Sequence, residues 1–352
     1  MDPSERLKVA VIGSGHIGPR HASSVVKCSE TELLCFVDPS RNAQAVADSF
    51  QVPLFESIGS MLAGRHTPDA AIVCTPNSTH VEVAKQLLAA GIHVLVEKPI
   101  STTVASGREL IAAGEQSGKQ LLVGHHRRFN PYIVATKRAL EDGAIGKVVA
   151  VSGVWAAYKP PGYFEAPAEW RRATGSGGPI LINLIHEIDC LQYLLGPIVR
   201  VYAEQTASHR EHPVEEGAAI LLRFTSGIVG TFLLSDSATS AHFFESATGE
   251  NPIIPRLGKD VYRIFGTAGT LSVGDMKVTR CAEDIETSWT AVVVESGIAV
   301  GNEVPFDEQI NHFVRVVRNG EQPRCSGQDG LDALIVCEAI KLAMVEARPV
   351  DI

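Results

Sequence analysis

The chain has 352 residues, 45% of them hydrophobic, and a formal net charge of −9, a length that accommodates two domains with separate packed cores. The acidic balance, with no basic run and no basic patch interleaved with aromatics, excludes a general nucleic-acid surface. No apolar run approaches the ~20 residues of a membrane span.

The polar stretch Met1–Leu7 leads straight into the first apolar run and does not read as a signal peptide. Leu7–Ile12 reads as a buried strand, followed by Gly13-Ser14-Gly15-His16-Ile17-Gly18, a helix over 16–27 and a strand over 32–37 that ends at Asp38. This is the strand–turn–helix–strand setting of a dinucleotide-binding turn. Gly13 permits the tight turn, Gly15 lets backbone approach a pyrophosphate, and Gly18 lets the helix pack closely on the strand. His16 and Ile17 complete the turn, where the helix N-terminus offers N–H groups to the phosphates. Asp38 suits the adenosine ribose and repels a 2′-phosphate, which favours NAD over NADP; Arg41, three residues on, is the group that would pair with that phosphate.

The apolar runs 70–74, 93–96 and 121–123 alternate with helical patterns over 81–90 and 104–116. Continuously apolar strands separated by helices predict a doubly wound parallel sheet, ending near Gly124. Ligands of such sheets bind at the carboxyl ends of the strands. Three segments there carry candidate residues: Thr75, Pro76 and Asn77 with His80; Glu97 and Lys98 before Pro99; and Arg127 with Arg128, one expected to face a cleft and the other solvent.

From Lys147 the strands lengthen and alternate, over 148–155, 218–224, 228–235 and 261–265, with helices over 132–141, 180–195, 306–319 and 330–345. That pattern predicts a largely antiparallel sheet with one face on helices. The segment 155–172 sets Tyr163, Trp170 and Arg171 in a loop; aromatic faces stack on sugar rings, and arginine binds hydroxyls or carboxylates. A second lid is a candidate over 242–256. On the helix from Ile180, Asn183, His186 and Asp189 recur every three residues as a polar stripe among apolar positions, predicted to face a cleft. The seven cysteines are scattered without a CxxC pair, which reads as reduced thiols in a cytoplasmic protein and implies no metal site.

The glycine-rich turn, Glu97-Lys98-Pro99, Gly177-Gly178 followed by His186-Glu187-Ile188-Asp189, and the strand-turn 262–271 together resemble the Gfo/Idh/MocA family, named for glucose–fructose oxidoreductase and inositol dehydrogenase. The resemblance covers nearly the whole chain. It implies an α/β protein with an N-terminal Rossmann domain over 1–124. A C-terminal α/β domain over 125–352 carries a large, mostly antiparallel open sheet that pairs subunits into homodimers or homotetramers. The implied activity is hydride transfer between NAD(P) and the carbinol carbon of a cyclic polyol, sugar or related hydroxy acid. Lys98 matches the family's catalytic lysine, in a Lys–Pro peptide that is often cis, and an amine of lowered pKa suits the hydroxyl proton. His186 matches the family histidine that contacts the reacting hydroxyl. Many family polyol dehydrogenases carry an aspartate four residues before it; this chain has Ile182, and the nearest polar substitute, Asn183, stands about 100° further round an α-helix. The departure leaves room for a non-catalytic dinucleotide-binding sensor or scaffold, or for an enzyme acting on an imine or a dicarbonyl.

Overall fold

The computed structural model describes residues 5–64, 67–282 and 285–352; the first four residues of the polar N-terminal stretch lie outside it. The first third alternates strand and helix: β1 (Leu7–Ile12), α1 (Gly18–Lys27), β2 (Thr31–Val37), α2 (Ala43–Phe50), β3 (Leu54–Phe55), α3 (Ile58–Leu62), β4 (Ala70–Val73), α4 (His80–Ala89), β5 (His93–Val96), α5 (Val104–Ser117) and β6 (Leu121–Val123). The six strands form one parallel sheet in the order β3-β2-β1-β4-β5-β6. All four residues of β4 are buried, as in a strand covered on both faces. The order reverses between β1 and β4, so the segments leaving their carboxyl ends flank a topological switch point. Helix α1 begins at Gly18, two residues later than its sequence pattern indicates, with Pro19 in its first turn and Lys27 in its last.

The chain continues through α6 (Pro131–Glu141), β7 (Val148–Ala156), α7 (Ile185–Leu195), β8 (Ile198–Gln205), β9 (Gly217–Phe224), β10 (Val229–Ser235), α8 (Phe244–Thr248), β11 (Tyr262–Gly266), β12 (Gly269–Val273), β13 (Lys277–Cys281), β14 (Val293–Gly297), α9 (Pro305–Asn319), α10 (Gly327–Glu346) and β15 (Val350–Asp351). Nine strands form the second sheet in the order β14-β13-β12-β11-β7-β10-β9-β8-β15. Every neighbouring pair is antiparallel except β7 and β10. Strands β9 and β10 alternate buried and exposed residues, the mark of a sheet with one packed face.

The helix expected over 180–195 is only partly α-helical. Ile180–Leu184 form a π turn in which the Ile185 N–H reaches the Ile180 carbonyl. That wider turn takes in an extra residue, so the regular spacing that set Asn183 about 100° round from Ile182 does not run through it. The candidate lid over 242–256 contains α8, whose Phe244, Ser246, Ala247 and Thr248 are buried.

Two packing units emerge: the chain through Phe129 with Glu303–Leu334, and Asn130–Asn302 with Ile335–Ile352. The boundary expected at residue 124 follows chain order, whereas α9 rejoins the first unit. Its Ile310, Phe313, Val314 and Val316 enter a core with Leu7, Val9, Val11, Ala22, Val25 and Phe36. Ser24 of α1 donates a 2.5 Å hydrogen bond to Asp307 of α9. Phe313 is 1% exposed, and Phe313→Ala is expected to destabilise the protein by about 3–5 kcal/mol through lost burial and a cavity. Urea unfolding measures this; an unchanged midpoint would show that α9 does not support that core.

Candidate active site

The turn after β1 is shaped by what surrounds it. Gly13 has φ +96°, and a Cβ there would stand 2.7 Å from the Cys74 carbonyl oxygen. A Cβ on Gly18 would overlap the Gly13 carbonyl oxygen, so the helix meets the turn only because residue 18 is glycine. Around Gly15 there is nothing within 4 Å. A side chain there would cost the protein's own packing nothing, so the open space is fit for a ligand that comes close to the backbone. Asp38 accepts from Ser14 N–H and from Ser14 Oγ–H on one oxygen, both at 2.8 Å, and from Ser40 N–H on the other at 2.8 Å. A carboxylate offers about four acceptor positions, so a ribose hydroxyl still finds one. His16 and Arg41 are exposed and Ile17 is half-buried. These features fit a dinucleotide.

Beyond β5 the chain turns around a buried acid. Glu97 is 6% exposed; its Oε1 lies 2.7 Å from His21 Nε2, and its Oε2 accepts the Lys98 N–H at 3.1 Å. A Cβ on Gly124, at the end of β6, would stand 3.0 Å from Glu97 Oε1. Burial alone would raise the Glu97 pKa. The hydrogen bond and charge of His21, with Lys98 and His126, outweigh burial and hold it at about 2. The peptide Lys98–Pro99 is cis. His80 is buried, with Nδ1 2.8 Å from the Pro99 carbonyl oxygen and Nε2 2.8 Å from that of Thr75. Both ring nitrogens of this cofactor candidate therefore face main chain. Thr79 Oγ1 donates to Thr75 Oγ1 at 2.8 Å, and Asn77 opens the short turn Asn77–Thr79. Pro76 is exposed, Thr75 and Lys98 half-buried.

The expectation that one of Arg127 and Arg128 faces solvent is corrected: they are 2% and 4% exposed. Arg128 donates to the Arg324 carbonyl at 2.6 Å and to Asp329 Oδ1 at 3.1 Å, because the segment 303–334 packs over this turn.

In the second unit, Gly177 is required by backbone contact and Gly178 by its left-handed φ. A Cβ on Gly177 would overlap the Arg171 carbonyl, and one on Gly178, at φ +84°, would overlap the Glu215 carboxylate. Gly178 N–H bonds the Arg171 carbonyl at 3.0 Å, and Glu215 accepts the Ile180 N–H at 3.0 Å. The loop of aromatic candidates is thereby tied to the start of the helix that carries Asn183 and His186. Those two are 8% and 7% exposed; Asp189, the acidic member of the stripe, is fully buried and does not face solvent, and neither does its neighbour Glu187. Glu187 accepts from the Tyr262 hydroxyl.

The Arg171 guanidinium lies 3.9 Å from the centre of the Tyr163 ring and donates to the Tyr163 carbonyl at 2.9 Å. The Lys159 ammonium lies 4.4 Å from the same ring centre. Burial raises the Tyr163 pKa, with Arg171 opposing it. Trp170 is 45% exposed.

Sequence reasoning missed His21, Ser14 and Glu215. His21 had a signal: it is the one titratable side chain on the buried face of α1, among Gly18, Ala22, Ser24 and Val25. Glu215 had none, because its role depends on a glycine 37 residues away. Among the described residues no group of histidine, cysteine and acidic side chains could hold a metal ion, and no helix is long and apolar enough to cross a membrane.

The model of an oxidoreductase family with an NAD-binding Rossmann fold matches residues 7–125, and the same family's C-terminal alpha/beta domain matches 137–352. The chain is similar to inositol 2-dehydrogenase of Rhizobium meliloti, 24% identical over 355 residues, covering 98% of this chain and 99% of that protein. It is 26% identical over 362 residues to D-apiose dehydrogenase of Paraburkholderia graminis, covering 99% and 90%. The crystal structure of the WlbA dehydrogenase from Bordetella pertussis, in complex with NADH and UDP-GlcNAcA, shares the fold with a TM-score of 0.79 at 23% identity over 99% of each chain.

The depressed Glu97 pKa has a consequence for acid stability. Its contribution is complete above the ordinary carboxylate value of 4.5 and is lost as pH falls from there toward about 2. Glu97→Gln is expected to lose about 3–5 kcal/mol at neutral pH, as for other broken buried pairs, and to flatten the acid limb. Denaturant titrations at several pH values check this; a parent-like acid limb in the variant would refute it.

Proposed function

The chain belongs to the Gfo/Idh/MocA oxidoreductase family, and on that premise we propose that it moves hydride between NAD and a secondary alcohol or ketone of a cyclic polyol, sugar or related hydroxy acid. The inositol and D-apiose dehydrogenases among its relatives support that substrate range. NAD, when bound, supplies the hydride acceptor for oxidation. Gly13, Gly15 and Gly18 admit its pyrophosphate and Asp38 accepts from its adenosine ribose, which favours NAD over NADP. Thr75, Pro76, Asn77 and Glu97 shape the remainder of the cofactor side.

Lys98 takes the hydroxyl proton as the carbon–hydrogen bond breaks, and its ammonium returns a proton in the reverse direction. The forward step needs the neutral amine. His186 positions the reacting oxygen. Asn183, Arg127 and Arg171 bind further hydroxyls or a carboxylate, and Tyr163 and Trp170 offer ring faces to a sugar. The observation that carries this reading is the fixed turn at Lys98, with its N–H on Glu97 and the following carbonyl on His80.

Subunits pair through the open face of the second sheet, where Leu221, Val229 and Leu233 are 53%, 47% and 48% exposed. The seven free thiols suit a reducing cytoplasm.

Lys98→Ala is expected to lower kcat by about 10²–10⁴-fold while NAD still binds; turnover on a polyol and sugar panel, followed as NADH absorbance, measures it. Near-native kcat in that variant would remove Lys98 from the proton step. Asp38→Ala is expected to move the ratio of kcat/KM for NAD and NADP toward NADP. Because Asp38 also holds Ser14, both absolute values should fall, and only the ratio reports the ribose contact. An unmoved ratio would mean that another group reads the ribose.

A further inference from the structure

His80 opens α4 with each ring nitrogen 2.8 Å from a main-chain carbonyl oxygen, Nε2 at Thr75 and Nδ1 at Pro99. The residue is 1% exposed, so bulk water replaces neither partner. A carbonyl oxygen only accepts, and a neutral imidazole has a single N–H. The imidazolium alone makes both bonds; a neutral ring turns a lone pair toward one of the carbonyls. One carbonyl belongs to the segment leaving β4 and the other to the turn that carries Lys98.

We propose that His80 is a proton-dependent clip that, as imidazolium, joins the Thr75 and Pro99 carbonyls and so positions Lys98, and that on losing a proton releases one of them. His80 is a positioning residue, since its ring bonds main chain and acts through Lys98. The kinetic consequence rests on Lys98 being the acid/base group; the bonding of the ring does not.

The charged groups around the ring pull in both directions. Burial is the strongest influence and lowers the His80 pKa from the ordinary imidazole value. The two carbonyls and the Glu97 carboxylate favour the cation, and the Lys98 ammonium opposes it. The positive end of the α4 dipole also opposes a cation, while Glu82 in the first turn favours one. Cys74, next to Thr75, stays a neutral thiol, because burial and Glu97 raise its pKa well above the usual value. The clip is therefore closed on the acid side of the ring's midpoint and opens as pH rises.

The test uses the full chain with nitrogen-15-labelled histidine. Below the ring's midpoint both His80 nitrogens are expected to carry protons; above it one is lost, and the Lys98 amide resonance shifts with the same midpoint. His80→Gln keeps a donor on one side only. Losing a hydrogen bond to a charged group predicts a kcat lower by about ten- to a hundredfold below the ring's midpoint, NAD affinity nearly unchanged, and loss of the His80 limb from the pH profile of kcat. A ring that carries one proton at every pH where the protein is folded would overturn the proposal, whether or not the variant folds. So would a His80→Gln enzyme with the parent's kcat and pH profile. Near-native kcat in Lys98→Ala would sink the acid/base reading alone, and the ring spectrum would still decide the clip.

Discussion

A carboxylate buried at the carboxyl end of β5 constrains everything around it. An ionised acid cannot be withdrawn from water without donors or counter-charges. Glu97 has His21 from α1 on one oxygen and the Lys98 N–H on the other. A side chain on Gly124 would press on it, its Cβ 3.0 Å from Glu97 Oε1. The helix behind the glycine-rich turn, the end of β6 and the turn bearing Lys98 are thus held by one group. His21 in turn meets the edge of the Phe306 ring, 5.1 Å between centres, which brings α9 into the same arrangement. The return of 303–334 to the first unit is part of how the acid is kept dry.

The second unit repeats that economy with different residues. Glu215 fills the space that a side chain at Gly178 would take and caps the first N–H of the π turn. The Arg171 carbonyl lies against Gly177 and accepts from Gly178. A loop rich in aromatic and cationic side chains is therefore fastened to the helix start that presents Asn183 and His186. The π turn changes which residues share a face, so an isoleucine at position 182 cannot be judged by α-helical spacing alone.

Legibility differed between the two sheets for physical reasons. The parallel sheet has continuously apolar strands bounded by helices, and a short window of sequence contains that whole pattern. The open sheet lost several strands. In β8 a bulge between Ile198 and Arg200 breaks the two-residue period that would have announced it. All five residues of β14 are exposed, so burial wrote no pattern into it. β13 is short and carries Lys277 and Arg280 among its five residues. On the site, the lysine, the histidine and the glycine turn stood out because their residue types are unusual for their elements: a charge closing an apolar strand, a polar stripe on an apolar helix.

By itself the sequence determined the nucleotide turn, the alternation of five of the six parallel strands with helices and the identity of Lys98 and His186 as candidates, since each depends on neighbours within a few tens of residues. Tertiary structure alone decided which groups hold them. His21 and Glu97 are 76 residues apart, Ser24 and Asp307 283 apart. Periodicity reports which face of an element is buried; it carries no record of what that face is buried against, and hydrogen bonds between distant segments are set by the packing that brings them together.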